Sequence, residues 1–173
     1  MATTYKLIAK NVLGSDTSSV TFGSIPATFD DVVLIMSLRT DRTGAITDAC
    51  RLRINSDSGS NYTYRALYSD GANAYSGSGT DTSAAISFYI NSNSTTSNTF
   101  SSVEVNFPNY TGSTNKSFSH SLCMENNATD ARMSVAAHLW SSTSAISSML
   151  LYPQVGSNWK SGSSFYLYGL TKA

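Results

Sequence analysis

Charged residues are scarce in this sequence. Asp, Glu, Lys and Arg form 13% of its 173 residues, against about 25% in a typical soluble domain, and the formal net charge at pH 7 is +0. Proteins that clamp nucleic acid present an excess of Lys and Arg on one face, so this balance argues against such a partner. No apolar run approaches the length of a membrane-spanning helix. We therefore expect neither nucleic acid nor a membrane as a partner.

Cysteine is also rare. Cys50 and Cys123 lie far apart, and neither belongs to a CxxC pair or has a histidine at the spacing of zinc ligands. The sequence therefore predicts no metal site and no bound cofactor. It favours two free thiols over a disulfide, whose geometry the sequence alone does not determine.

Residues that favour helices are few, and the sequence contains many short stretches in which apolar and polar residues alternate. Ser and Thr form roughly 30% of the chain and compete with helices by hydrogen bonding to their own backbone. Alternation of apolar and polar residues is typical of half-buried strands. It predicts about ten strands, over residues 5–9, 19–22, 31–38, 50–54, 84–90, 100–107, 117–124, 132–140, 146–152 and 164–170. Segments 55–61, 69–73 and 91–94, rich in Ser, Asn, Asp and Gly, are expected to be turns.

The order of short strands and small polar turns predicts the fold class. It is typical of an all-β, antiparallel two-sheet sandwich, jelly-roll-like, which we expect to form a single domain over residues 1–173. Hydrophobic residues form 40% of the chain and aromatic residues 11%, enough for a buried core. Few Lys or Glu residues are present to protect the edge strands from pairing with other chains, so we expect a homo-oligomer or a protein lattice.

Three groups of segments together carry a family resemblance. They are residues 7–10 with 21–26 and 31–34, residues 51–55 with 58–62, and residues 162–170. They resemble small β-sandwich virion proteins of tailed bacteriophages, particularly phages of marine and cyanobacterial hosts. Such domains occur as capsid decoration (cement) proteins and in tail fibres or baseplates. The resemblance implies a virion structural protein but does not select its location in the particle. The capsid surface is favoured over the tail on other features of the sequence. The first ten residues lack the features of a signal peptide, so we expect synthesis in the host cytoplasm.

The absence of a shaft-like segment favours a capsid decoration protein within this family. The sequence has no heptad run and no Gly-rich repeat, which a trimerising fibre would carry. The expected partners are the major capsid protein or other virion proteins and further copies of the chain, with a trimer favoured. The alternative is a receptor- or carbohydrate-binding module of a tail fibre or baseplate, for which a host glycan would be the ligand.

Enzymatic activity is not expected. His120 and His138 are the only histidines, and no nucleophile-elbow motif accompanies them. Glu104 lies between two valines in an alternating strand, which is the usual position of a solvent-facing residue, so a glycosidase pair with Glu125 is disfavoured. A hydrolase acting on envelope glycans is the weakest hypothesis, and no catalytic residue is predicted. Asp57 lies in an oxygen-rich segment that lacks the distal Glu of a calcium loop, which favours a turn.

Tyrosines and arginines supply the candidate interface residues. Tyr62 and Tyr64 are expected to share one strand face, and Arg51 and Arg53 to share another opposite Leu52. Tyrosine anchors protein interfaces and stacks on sugar rings, and arginine pairs with acidic groups of a neighbouring subunit. The competing interpretation is that the tyrosines pack inside the sandwich with their hydroxyls at its rim. The candidates are Arg51, Arg53, Tyr62, Tyr64, Arg65 and Tyr68.

Overall fold

All regular structure in the computed structural model is β-strand, over the residues that it describes, 4–81, 83–127 and 130–171. The strands are β1 (Thr4–Val12), β2 (Val20–Phe22), β3 (Asp31–Leu38), β4 (Thr47–Ile54), β5 (Tyr62–Ser69), β6 (Ala74–Asp81), β7 (Ala85–Asn91), β8 (Ser101–Pro108), β9 (Lys116–Met124), β10 (Arg132–Trp140), β11 (Met149–Pro153) and β12 (Ser164–Thr171). Within these residues, no helix is long and apolar enough to cross a membrane.

The strands form two antiparallel sheets that pack face to face. The large sheet has eight strands in the order β1-β12-β3-β8-β9-β10-β5-β6, and the small sheet has four in the order β2-β11-β4-β7. Along the chain, β2, β4, β7 and β11 return to the small sheet, while the strands between them lie in the large sheet. The predicted all-β two-sheet sandwich is therefore confirmed.

Alternating burial explains why these segments pair as strands. In β9 every second side chain from Lys116 to Met124 is buried, and β4 alternates between buried and half-buried residues in the same way. The inward-facing side chains of both sheets form one hydrophobic cluster. Its largest fully buried members include Trp159, Tyr110 and Phe107. Burial of a large apolar side chain contributes about 1.5–3 kcal/mol, so this layer stabilises the sandwich.

The β5–β6 hairpin is the part of the fold that the count of ten strands omitted. β6 reads as a loop in the sequence because two glycines, a residue type depleted in strands, alternate with small polar residues. Tyrosines of β5 compensate for the missing side chains. The ring of Tyr64 lies so close to Gly79 that a Cβ there would be 2.8 Å from the ring, and Tyr68 lies similarly over Gly77 at 3.5 Å. The glycines thus let two aromatic rings lie against the backbone of the edge strand.

The predicted turn over residues 55–61 forms and is held by one carboxylate. Asp57 accepts hydrogen bonds from the Trp140 indole N–H at 2.7 Å, from the Gly59 backbone N–H at 2.8 Å and from the Asn61 side-chain amide at 2.9 Å. These donors, the indole above all, lower the pKa of the Asp57 carboxyl. The carboxylate therefore fastens the turn to the core end of β10.

A buried arginine organises the segment between β7 and β8. The Arg39 side chain is 5% exposed, and its guanidinium donates to the carbonyl oxygens of Thr96 at 2.7 Å, Thr99 at 2.9 Å and Thr95 at 3.1 Å. Within the described chain, no carboxylate lies within ion-pair distance of it. Backbone carbonyls, together with the Thr99 hydroxyl at 3.2 Å, therefore satisfy this buried cation, and the cation in turn fixes the course of residues 95–99.

Replacement of Arg39 should destabilise the protein. In Arg39→Ala the three carbonyls lose charged donors, so we expect the free energy of unfolding to fall by about 2–3 kcal/mol. Urea denaturation followed by tryptophan fluorescence measures the change. Arg65→Ala, at an exposed position, is the matched control and should change the stability by less than about 0.5 kcal/mol. Equal losses in the two variants would contradict the anchoring role of Arg39.

Candidate functional site

The unequal width of the two sheets opens a cleft at one end of the sandwich. β7, an edge of the small sheet, packs against β5, β9 and β10, and the inner face of the β5–β6 hairpin extends beyond it. A cleft of about 330 Å³ lies there between the sheets. Residues of β5, β6, β9 and β10 form its floor. The wall opposite comes from Arg42, from β4 and β7, and from residues 154–155.

Three tyrosines form an aromatic cluster at this end of the sandwich. Tyr68 of β5 stacks on Tyr75 of β6 with ring centroids 5.3 Å apart, and its ring also lies 5.9 Å from that of Tyr89 in β7. Tyr75 and Tyr89 are each 41% exposed. The cluster therefore joins the two sheets at the cleft and presents aromatic surface to solvent.

Two neighbouring side chains hold the exposed tyrosines in place. The guanidinium of Arg132 lies 5.0 Å from the centre of the Tyr89 ring and is itself held by Asp130 at 2.8 Å. The hydroxyl of Tyr75 donates to Asp70 at 2.8 Å. A cation over an aromatic face and a charge-assisted hydrogen bond both restrict ring motion. The exposed tyrosines of the aromatic cluster are thus held by contacts with the protein's own charged side chains.

The two histidines meet in the floor of the cleft. His120 Nδ1 lies 2.9 Å from His138 Nε2, and His120 Nε2 lies 3.0 Å from Ser134 Oγ. The ring of Phe118 stacks on His138 with centroids 5.0 Å apart. Burial lowers the pKa of His120 to about 2, with a further contribution from His138, and burial lowers the pKa of His138 to about 4. Both imidazoles are therefore neutral at pH 7.

The order Ser134–His120–His138 has the connectivity of a nucleophile, a base and an orienting group. Two features argue against catalysis. A base with a pKa near 2 is poorly matched to proton abstraction at neutral pH. In addition, β10 is paired on both sides at Ser134, so the ladders use the surrounding backbone N–H groups and leave no backbone oxyanion site. The arrangement instead provides a fixed, neutral hydrogen-bonding surface.

The charged groups of the cleft are largely engaged by the protein. The buried carboxylate of Asp48 accepts hydrogen bonds from the backbone N–H groups of Ala49 at 2.7 Å, Gly156 at 2.8 Å and Val155 at 3.1 Å. The guanidinium of Arg42 donates to the carbonyl oxygen of Thr47 at 2.9 Å. One positive and one negative group therefore lie in the same wall of the cleft, which is nearly neutral.

The tyrosine candidates lie on the inner face of β5. Tyr62 and Tyr64 share that face, as expected, together with Tyr68. Tyr62 is 1% exposed and belongs to the core, where its hydroxyl accepts from the Ile54 backbone N–H at 3.1 Å and donates to the Asp57 carbonyl at 3.0 Å. Tyr64 and Tyr68 are half-buried and line the cleft. Of the three tyrosines, Tyr62 therefore packs inside the sandwich, as the alternative to an interface role expected.

The three candidate arginines lie on outer faces. Arg51 and Arg53 share the outer face of the small sheet, as expected. Arg53 donates to the Ser83 carbonyl at 2.8 Å, and its guanidinium lies 5.5 Å from the centre of the Tyr152 ring. Arg65 is exposed on the outer face of the large sheet and donates to the Tyr64 carbonyl at 2.8 Å. The structure therefore does not bring the six candidates together into one surface.

The two glutamates serve local roles. Glu104 faces outward from β8 and accepts a hydrogen bond from Asn106 of the same strand at 2.8 Å. Glu125 lies in the turn after β9, where it accepts from the backbone N–H groups of Asn126 and Asn127. Among the described residues, no group of three or more His, Cys, Asp or Glu side chains could hold a metal ion.

Cys50 is buried in β4, where burial raises the pKa of its thiol, and Cys123 is exposed on β9. Both cysteines are free, as favoured.

Sequence reasoning missed the wall of the cleft. Arg42, Asp48, Tyr89 and Gln154 come from four separate segments, and their meeting depends on which strand of the small sheet lies over β5 and β10. One signal was available for the floor. His120 and His138 both occupy inward positions of alternating strands, which would have placed them close together once β9 and β10 were paired as a hairpin.

No family model matches the sequence, and neither the curated proteins nor the solved structures contain a significant match to it.

The histidine pair should make stability depend on pH. Both pKa values are lowered in the folded state relative to about 6.5 in the unfolded chain, so the unfolded state binds more protons as the pH falls. The free energy of unfolding is therefore unaffected by titration of the histidines above about pH 6.5. It decreases as the pH falls towards 4, by up to about 1.4 kcal/mol per pH unit for each imidazole. Urea denaturation between pH 7.5 and 4.5 measures it.

The double variant His120→Gln/His138→Phe is the comparison for this pH series. It keeps the charged and titratable groups that face the pair: Arg42, Asp48, Tyr64, Tyr68 and Tyr89. Its slope of stability against pH should be flatter than that of the native protein, whatever its absolute stability. Identical slopes would show that the imidazoles titrate normally in the folded state.

Replacement of Ser134 should leave the rate of ester hydrolysis unchanged. Because the arrangement lacks a matched base and a backbone oxyanion site, Ser134→Ala should hydrolyse p-nitrophenyl acetate at the same rate as the native chain. The rate of nitrophenolate release at pH 7.5 measures this. A native rate tenfold or more above that of the variant would establish Ser134 as a nucleophile.

Proposed function

We propose that this protein is a virion structural protein of a tailed bacteriophage that binds capsid subunits through the outer face of its large sheet, as a capsid decoration protein. The sequence resemblance supports the virion assignment. The observation that carries the binding mode is the exposure of large apolar side chains on that face, since solvated sheet faces are ordinarily polar.

One apolar patch lies on β5 and β10. Leu67 and Met133 are each 62% exposed and Val135 is 54% exposed. Leu67 and Val135 are direct cross-strand partners, so their side chains lie side by side. A shallow groove of about 840 Å³ runs along this part of the face, lined by both residues and by Arg65. An apolar groove with a cationic margin suits the central contact of a protein interface.

A second apolar patch lies at the other end of the same face. Tyr5 and Leu7 of β1 are 55% and 46% exposed, and the ring of Tyr168 on β12 packs edge-on against Tyr5 at 6.1 Å. Between the two patches, Ile35 of β3 is 36% exposed, and a polar band follows on β8 and β9, with Glu104 and the serines of β9. Two separated anchors on one rigid sheet can contact two neighbouring subunits.

The mechanism follows from this layout. A sheet that bridges neighbouring capsomers adds contacts that must break before the shell expands, so it opposes the outward pressure of packaged DNA. Each contact is of moderate strength, and several copies acting together give the avidity. Oligomerisation, as a trimer in the favoured case, multiplies the contacts of one particle. The sparse charge of the chain suits a surface that is covered in the assembly.

Labelling of purified virions tests the proposed location. A gold-labelled antibody raised against the chain should decorate the heads of negatively stained particles. Labelling confined to the tail would replace the proposal with the receptor-binding alternative, and particles without label would exclude both.

Introduction of negative charge on the outer face tests the proposed binding mode. The variant Leu67→Glu/Val135→Glu should lose at least tenfold in affinity for empty capsids, because each carboxylate would be buried without a partner. Co-sedimentation with capsids measures binding. Ile46→Glu places one carboxylate at a 38% exposed position outside this face and should bind normally. Undiminished binding by the folded double variant would exclude this face as the interface.

A further inference from the structure

The cleft between the sheets has the composition of a ligand site. Its volume of about 330 Å³ lies at the lower end of the range for small-molecule pockets, and it combines aromatic walls with a few fixed polar groups. It opens on the inner side of the β5–β6 overhang, so the outer face of the large sheet plays no part in it. The capsid-binding proposal therefore leaves the cleft without a role.

The aromatic part of the cleft suits flat, weakly polar surfaces. Tyr68 and Tyr89 lie 5.9 Å apart, contributed by opposite sheets, and Tyr64 extends the aromatic floor towards His138 with ring centroids 6.3 Å apart. Pyranose rings present C–H faces of this kind, and tyrosine binds them by stacking while its hydroxyl remains available for hydrogen bonds.

The polar part of the cleft suits hydroxyl groups. Ser134 and the neutral imidazole pair lie in the floor, and Gln154 and Arg42 lie in the wall. A sugar hydroxyl both donates and accepts, as does the hydroxyl of a serine, so either partner can adapt to the other. Groups held by the protein's own hydrogen bonds do not need to be ordered when a ligand binds.

The charges of the cleft argue against ionic ligands. The Asp48 carboxylate is already saturated by three backbone N–H groups, which leaves it poorly placed to hold a cation. The single positive group, Arg42, lines the same cleft as Asp48, so an anion would gain little.

From this combination we propose that the cleft formed by Tyr64, Tyr68, Tyr89, Ser134 and Gln154 binds a neutral saccharide of one or two pyranose rings. The ring faces stack on the tyrosines, and the hydroxyls bond to the serine, whose position the histidine pair fixes, and to the amide. The proposal is independent of the capsid-binding function, since the two sites lie on opposite faces of the large sheet.

A nuclear magnetic resonance titration of the full chain tests the site. The probes are glucose, galactose, mannose, N-acetylglucosamine, maltose and lactose, each added to ¹⁵N-labelled protein at concentrations well above a Kd of about 1 mM, which corresponds to about −4 kcal/mol. At least one probe should shift amide signals of residues 64–68, 134–138 and 154–155 with saturable, millimolar affinity. Shifts confined to other segments, or none with any probe, would overturn the proposal.

Matched tyrosine variants test the role of the rim. Tyr89→Ala should weaken the binding of the responding sugar at least tenfold, whereas Tyr5→Ala removes a similarly exposed tyrosine from the far edge of the large sheet and should bind as the native protein does. Gln154→Ala, at an exposed position, provides a second variant if Tyr89→Ala fails to fold by circular dichroism. Native affinity in the folded variant, or tighter binding of glucuronate than of glucose, counts against a neutral-saccharide cleft.

Discussion

The mismatch between an eight-stranded sheet and a four-stranded one determines most of what is distinctive in this molecule. A four-stranded layer covers only the middle of its partner, so the inner faces of the outlying strands must be satisfied in another way. On the β5–β6 side this is done by tyrosines that lie over glycines of the edge strand and over one another. The same overhang creates the cleft, since the covering sheet ends at β7 while the floor continues.

Charged residues are scarce in this protein, and those that anchor its loops are stabilised mainly by hydrogen bonds to neutral groups and not by ion pairs. Arg39 is bound by carbonyl oxygens, Asp48 by backbone N–H groups, and Asp57 by an indole, an amide and a backbone N–H. Over the described residues, ion pairs are limited to Arg132–Asp130 and Lys160–Asp16, both at least partly solvent-accessible. Loops in this fold are thus fastened by single charged groups that each satisfy several backbone dipoles, an arrangement that stabilises a segment without needing a second charge.

Alternation in the sequence carried the fold class, because inward and outward residues of a half-buried strand differ in polarity whatever their partners are. It failed for the β5–β6 hairpin, since the ten predicted strands include neither β5 nor β6. The side chains of β6 are too small to show alternation, and tyrosines on the neighbouring β5 stabilise this strand. Alternation also did not distinguish the core tyrosine of β5 from the two tyrosines that line the cleft. Tyr62, Tyr64 and Tyr68 share one face by parity, but only the position of the small sheet decides that Tyr62 is core and that the other two line a cleft. Long-range pairing of this kind leaves no trace in local sequence.

The two proposed binding sites use opposite faces of the large sheet, so one molecule can use both at once. The outer face carries apolar patches separated by a polar band, which suits contact with a broad protein surface. The cleft opens between the sheets at the β6 and β7 edges. A molecule lying on its outer face would therefore keep the mouth of the cleft towards solvent. Capsid binding through the outer face of the large sheet and saccharide binding in the cleft are compatible because the two sites lie on opposite sides of that sheet. Neither site has to change its conformation when the other is occupied.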